Sequence, residues 1–159
     1  YYRIAFFTHV YTSMLVLPAG LTQFSKWIRR KHVGIHKFSG WIYTVIILLF
    51  TGPSGFIMGI YANGHLVSQI GFCLLAVLWI YFTLMAIIKI RQKDVVAHRA
   101  FFIRSFALTL SAITLRAWKY ILVALFHPRP MDVYMIVAWL GWTLNLLIAE
   151  LIIINLKKK

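Results

Sequence analysis

The sequence predicts an all-α, polytopic membrane protein: a five-helix antiparallel bundle with its N-terminus outside and its C-terminus in the cytoplasm. Three observations carry this. Five apolar stretches alternate with short polar breaks, and about 20 apolar residues in a helix match the hydrocarbon thickness of a bilayer. The composition is 62% hydrophobic and the mean hydropathy is +0.82, with no polar stretch long enough for a second domain. Lysine and arginine crowd into every second gap between the stretches. Lipid offers backbone amides no partners, so each crossing must satisfy its own as a helix. Residues 1–159 therefore read as a single transmembrane domain.

The expected spans are residues 4–24, 38–61, 66–90, 101–126 and 133–156. The chain starts at Tyr1 without Met, so residues are expected upstream; residues 1–20 lack the positive start of a cleavable signal. Span one gives way at Gln23, Phe24 and Ser25 to a short basic turn. Span two enters through His36, Lys37 and Phe38, and its outer half holds Gly52, Pro53 and Gly55. Pro53 removes a backbone donor and crowds the preceding turn, so a kink is expected there. Asn63 and Gly64 mark a tight outer reversal. Span three is the most uniformly apolar, and its lone Cys73 reads as a packing residue. Arg91, Gln92, Lys93 and Asp94 form a second basic loop before span four, the most polar of the five. An outer loop with Pro128 and Pro130 leads to span five, which ends in Lys157, Lys158 and Lys159.

Charge placement orients the bundle. The formal net charge is +14, and 12 of the 17 basic residues fall in the loop at 26–37, the segment at 89–99 and the C-terminal lysines. The positive-inside rule puts those three places in the cytoplasm. The basic surface is expected to meet anionic lipid headgroups, and its placement argues against nucleic acid. With only Asp94, Asp132 and Glu150 as acids, no paired carboxylates are present, nor is there a GxSxG, HExxH or Gly-rich phosphate motif. A hydrolase or pump is not expected; any enzyme here would be a membrane oxidoreductase.

Ionisable residues inside spans usually face the bundle interior. On a helical wheel His98, Ser105, Thr109 and Arg116 share one face of span four, and Arg104 with Ser111 falls on another. Arg104 lies about 9 Å inward of His98, and Glu150 about 10 Å inward of Lys157. The matched depths predict an Arg104–Glu150 pair, either a packing lock or part of a relay. His36 and His98 both open outward-running helices at the cytoplasmic boundary. Facing histidines are the axial set of b-type haem, although a boundary histidine also suits the headgroup layer. His9, about 24 Å from the cytoplasmic end, is close in depth to Arg116. The two are expected to line an outer polar site for a quinone headgroup, a propionate or a second haem. His65 and His127 read as solvated turn residues.

The stretch Ala97-His98-Arg99-Ala100-Phe101-Phe102-Ile103-Arg104-Ser105-Phe106-Ala107-Leu108-Thr109, followed by Ala112-Ile113-Thr114-Leu115-Arg116, resembles a bacterial predicted-membrane-protein family. That family is known as domain of unknown function 2306. The likeness extends to His9, Gln23-Phe24, His36-Lys37-Phe38-Ser39-Gly40-Trp41, Gln69-Ile70-Gly71-Phe72 and Asn145-Leu146-Leu147-Ile148-Ala149-Glu150. Lys37 and Trp41 stand where the family pattern has arginines. The resemblance implies a bacterial inner-membrane protein and no particular activity. A weaker likeness is to transmembrane b-type cytochromes of the ascorbate- and ferric-reductase kind, whose haem-binding histidines lie on alternate helices. His36 with His98 matches one such pair; His65 sits about 13 Å too far outward to pair with His9. Two functional expectations follow. The first is an electron-transfer protein binding haem b or a quinone, with His36 and His98 as iron ligands and His9, Arg104 and Arg116 around the site. The second is a non-catalytic accessory or assembly subunit of a larger membrane complex.

Overall fold

A computed structural model describes residues 1–158 as helices with short connections, and no strand occurs among them. The elements are α1 (Tyr2–Phe24), α2 (Lys26–Lys31), α3 (Val33–Ile46), a π-helical turn (Ile47–Thr51), α4 (Gly52–Ile60), α5 (His65–Arg91), α6 (Val95–Thr109), α7 (Ser111–Phe126) and α8 (Pro130–Lys157). Lys159, part of the expected C-terminal basic cluster, lies outside the described residues. Among the described residues four segments are long and apolar enough to cross a membrane: Tyr2–Phe24, Val33–Ile60, His65–Arg91 and Pro130–Leu156. The pair α6 and α7 passes the same test as one broken span, bent by 43°. The protein is a multi-pass membrane protein.

Local chemistry explains each departure from a straight rod. Ser25 ends α1 and caps α2, its Oγ accepting from Ile28 N, so the expected basic turn is partly helix, with Arg29, Arg30 and Lys31 in its last turn. The kink expected at Pro53 takes the form of the π-helical turn just before it. The missing N–H of Pro53 leaves a carbonyl without its helical partner, and the wider turn absorbs the mismatch. Span four begins at Val95, because Asp94 caps α6 by accepting from Ala97 N at 3.0 Å. Its break at Leu110 has neither proline nor glycine. Thr109 Oγ1 instead donates back to Ser105 O, and Ile113 N bonds Leu110 O three residues back. Hydroxyls that compete for helical carbonyls bend helices.

Helix α1 packs on α3 and α4, α5 on α4 and α6, α8 on α6, and α7 on α8. The main apolar core joins Val16, Tyr43, Ile47, Trp79, Phe106 and Trp142. Gly20 lets α1 approach closely: a Cβ there would sit 2.6 Å from the Phe106 ring and 2.9 Å from Tyr43. A second cluster, with Ile103 and Ile153 at its centre, seals α6 against α8.

Candidate functional site

A cavity of about 570 Å³ opens between α1, α2, α3, α5 and α6 at the end of the bundle that carries the basic loops. Its size is within the roughly 300–1,000 Å³ usual for ligand sites. Phe24, Trp41, Ile87, Ile90, Phe102 and Ile103 give it apolar walls. Lys26, Arg29, Lys37, Arg91 and Arg99 add cations to its lining. Gly40 faces Gln23, whose Oε1 would lie 3.1 Å from an added Cβ, so the glycine keeps the wall open.

His36 and His98 both line this cavity, so α3, packed on α1, and α6, packed on α5, bring the two sequence-predicted histidines to one space. His98 Nδ1 lies 2.7 Å from Ala86 O. A carbonyl can only accept, so Nδ1 carries the proton and Nε2 keeps a lone pair in the neutral ring. That backbone tie also fixes the plane of the imidazole. His36 Nδ1 is buried and has no hydrogen-bond partner. Its helix is held by α1: Gln23 Nε2 donates to His36 O at 3.0 Å and to Ser39 Oγ at 2.7 Å.

Beneath the cavity lies a buried polar network that sequence reasoning did not foresee. Tyr43 OH meets Ser105 Oγ and Thr109 Oγ1, each at 2.8 Å. Thr83 Oγ1 meets Ser105 Oγ at 2.7 Å and donates to Trp79 O. Trp79 Nε1 donates to Thr109 Oγ1, which donates to Ser105 O. The wheel had placed Ser105 and Thr109 on the His98 face; the hydroxyl of Tyr43 on the facing span was the unused clue. Five donor hydrogens serve six contacts here. One contact at a time must go without a hydrogen, so the network can shift its protons without moving heavy atoms.

The remaining site residues fall elsewhere. Arg104 is fork-bonded to Glu150: Nε pairs with Oε1, and Nη2 donates to Oε2 at 2.8 Å. The Arg104 guanidinium also lies over Phe101, 5.3 Å from the ring centroid. Depth and charge thus brought α6 and α8 together as the sequence arithmetic anticipated. The proposed His9–Arg116 grouping is not formed. His9 Nδ1 donates to Thr51 O at 2.9 Å, at the π-helical turn, and its ring packs against Gly55. Arg116 is exposed on α7, bonded only to Ala112 O of its own helix. The bend at Leu110 is the reason: it carries Arg116 away from the face that a straight helix would share with His98 and Ser105. Neither His9 nor Arg116 lines the cavity. Among the described residues no three His, Cys, Asp or Glu side chains gather as a metal site.

A model for a family described as a predicted membrane protein (DUF2306) matches residues 6–153. No curated protein and no solved structure matches the chain.

Proposed function

This chain belongs to the DUF2306 family of predicted membrane proteins, and we propose that it holds a b-type haem in the basic-end cavity as an electron-transfer protein. The observation that carries this reading is that one cavity is lined by two histidines from different spans, with His98 held in the tautomer that leaves Nε2 free. Iron in b-type proteins takes two such neutral nitrogens. The residues fit the group in three further respects. The unpartnered Nδ1 of His36 leaves that ring uncommitted to any other bond. The apolar walls exclude water from a flat macrocycle. Arg29, Lys37, Arg91 and Arg99 offer cations to two carboxylates.

When bound, the group would supply a reversible one-electron change at iron. The chain's own contribution is orientation and charge. Ala86 O fixes the His98 ring, Gln23 steadies the backbone under His36, and the hydroxyls of Thr83 and Tyr43 form a polar floor. The basic loops favour an orientation with the cavity toward the cytoplasm, in the inner membrane of a bacterium.

The test is the absorption spectrum of the protein produced with ample haem and purified in mild detergent. A Soret band that sharpens and shifts on dithionite reduction is expected, and His36→Ala or His98→Ala should each remove the six-coordinate low-spin signature. A colourless protein that also fails to take up added haemin would overturn the reading. A quinone in its place would appear in an organic extract of such a colourless preparation.

A further inference from the structure

Helix α7 is anchored to the bundle along one side only. Thr114 Oγ1 donates to Gly141 O at 2.5 Å and accepts from Asn145 Nδ2 at 3.0 Å, while Leu115 lies directly against Gly141. These contacts fix its depth. Gly141 is about 16 Å along α8 from Pro130 and about 22 Å from Leu156, so Arg116, next to Leu115, lies near the middle of a hydrocarbon layer about 30 Å thick. Arg116 and Lys119 are both exposed, and at a spacing of i, i+3 they share one face with Tyr120.

Arg116 faces lipid near that depth and Lys119 about 4.5 Å nearer the outer surface, and cations within the hydrocarbon layer are costly. Nothing among the described residues relieves them. Asp94 caps α6, Asp132 pairs with Arg129 at 3.4 Å, and Glu150 is fork-bonded to Arg104. Retreat to the nearer surface is also hindered. Phe126 is about 15 Å beyond Arg116, and side chains lean toward the helix N-terminus, here toward the bilayer centre. A second copy of the chain supplies no answer, because its intramembrane carboxylate is Glu150, about 13 Å farther along α8 than Gly141 and already engaged.

We propose that the Arg116–Lys119 face of α7 is a docking surface for a transmembrane helix of another protein, one that carries an aspartate or glutamate at mid-bilayer depth. The carboxylate would bridge Arg116 and Lys119, and the exposed aliphatic and aromatic residues of α7 would pack beside it. Charge complementarity selects this occupant over lipid or a second copy. The surface is separate from the histidine cavity, so the proposal stands whether or not haem is bound.

A synthetic leucine–alanine transmembrane peptide with one central Glu is the probe, with its Gln counterpart as control. Each is labelled as energy-transfer acceptor and titrated against labelled protein in the same lipid bilayers. The Glu peptide should associate about ten-fold more tightly than the Gln peptide, and Arg116→Gln with Lys119→Gln should erase the difference. Equal association of both peptides with the unaltered protein would overturn the proposal, as would no association at all. Energy transfer between labelled copies that outcompetes the Glu peptide would do the same, by identifying the occupant as the chain itself.

Discussion

The two halves of the broken fourth span treat their membrane-embedded charges in opposite ways. In α6, Ser105 and Thr109 are buried in a hydroxyl network, His98 is tied to Ala86, and Arg104 is matched by Glu150. In α7, Arg116 and Lys119 are exposed, and Arg116 bonds only its own backbone. Both halves have the composition of a polar membrane helix. What separates them is neighbours: α6 touches α5 and α8, whereas α7 rests mainly on α8. Polar content in a span announces that a partner is needed, and the packing decides whether that partner belongs to the same chain.

The contrast can be broken most forcefully at the ion pair. Glu150→Gln leaves Arg104 charged inside the bilayer and should destabilise the protein by about 3 kcal/mol, read from unfolding in mixed micelles. Replacing both Arg104 and Glu150 by Leu should restore most of that. Next comes the network. Thr109→Val strands the Trp79 N–H, which can only donate, and should cost about 2 kcal/mol. Tyr43→Phe removes one hydrogen but two contacts, so the rest become fully matched; its cost should stay below about 1 kcal/mol. If the two variants rank the other way, the hydrogen count is wrong. Gly141→Ala places a Cβ 3.0 Å from Leu115 Cβ and should loosen the α7–α8 seam by about 1 kcal/mol, with the histidine cavity's haem uptake unchanged. The smallest effect is expected from Arg116→Leu, within about 0.5 kcal/mol in the isolated protein. A loss as large as that of Glu150→Gln would abolish the distinction between the halves.

The spans were legible because length and hydropathy are summed over many residues, and no single side chain decides them. The Arg104–Glu150 meeting was legible for a similar reason: helix rise converts residue number into depth with little error. Angle is more fragile. One bend at Leu110, where Thr109 bonds back to Ser105 O and Ile113 N to Leu110 O, defeated the wheel that aligned Arg116 with His98. The short helix α2 was hidden because its basic residues read as loop, although Ser25 offered the cap. The two histidines pointed to the cavity, but its shape was not legible, since empty space depends on how Gly40 of α3 meets Thr83 and Ala86 of α5.

The π-helical turn at Ile47–Thr51 has the same arithmetic written into the backbone. It acts as one surplus residue in an otherwise regular rod, so everything from Gly52 outward is rotated by about 100° from where an unbroken helix would carry it. Ser54 and Gly59 owe their inward placement, and Gly55 its seat beside His9, to that offset. Losing a single residue from this stretch would undo the rotation and swing Ser54, Gly55 and Gly59 about 100° away from their present neighbours.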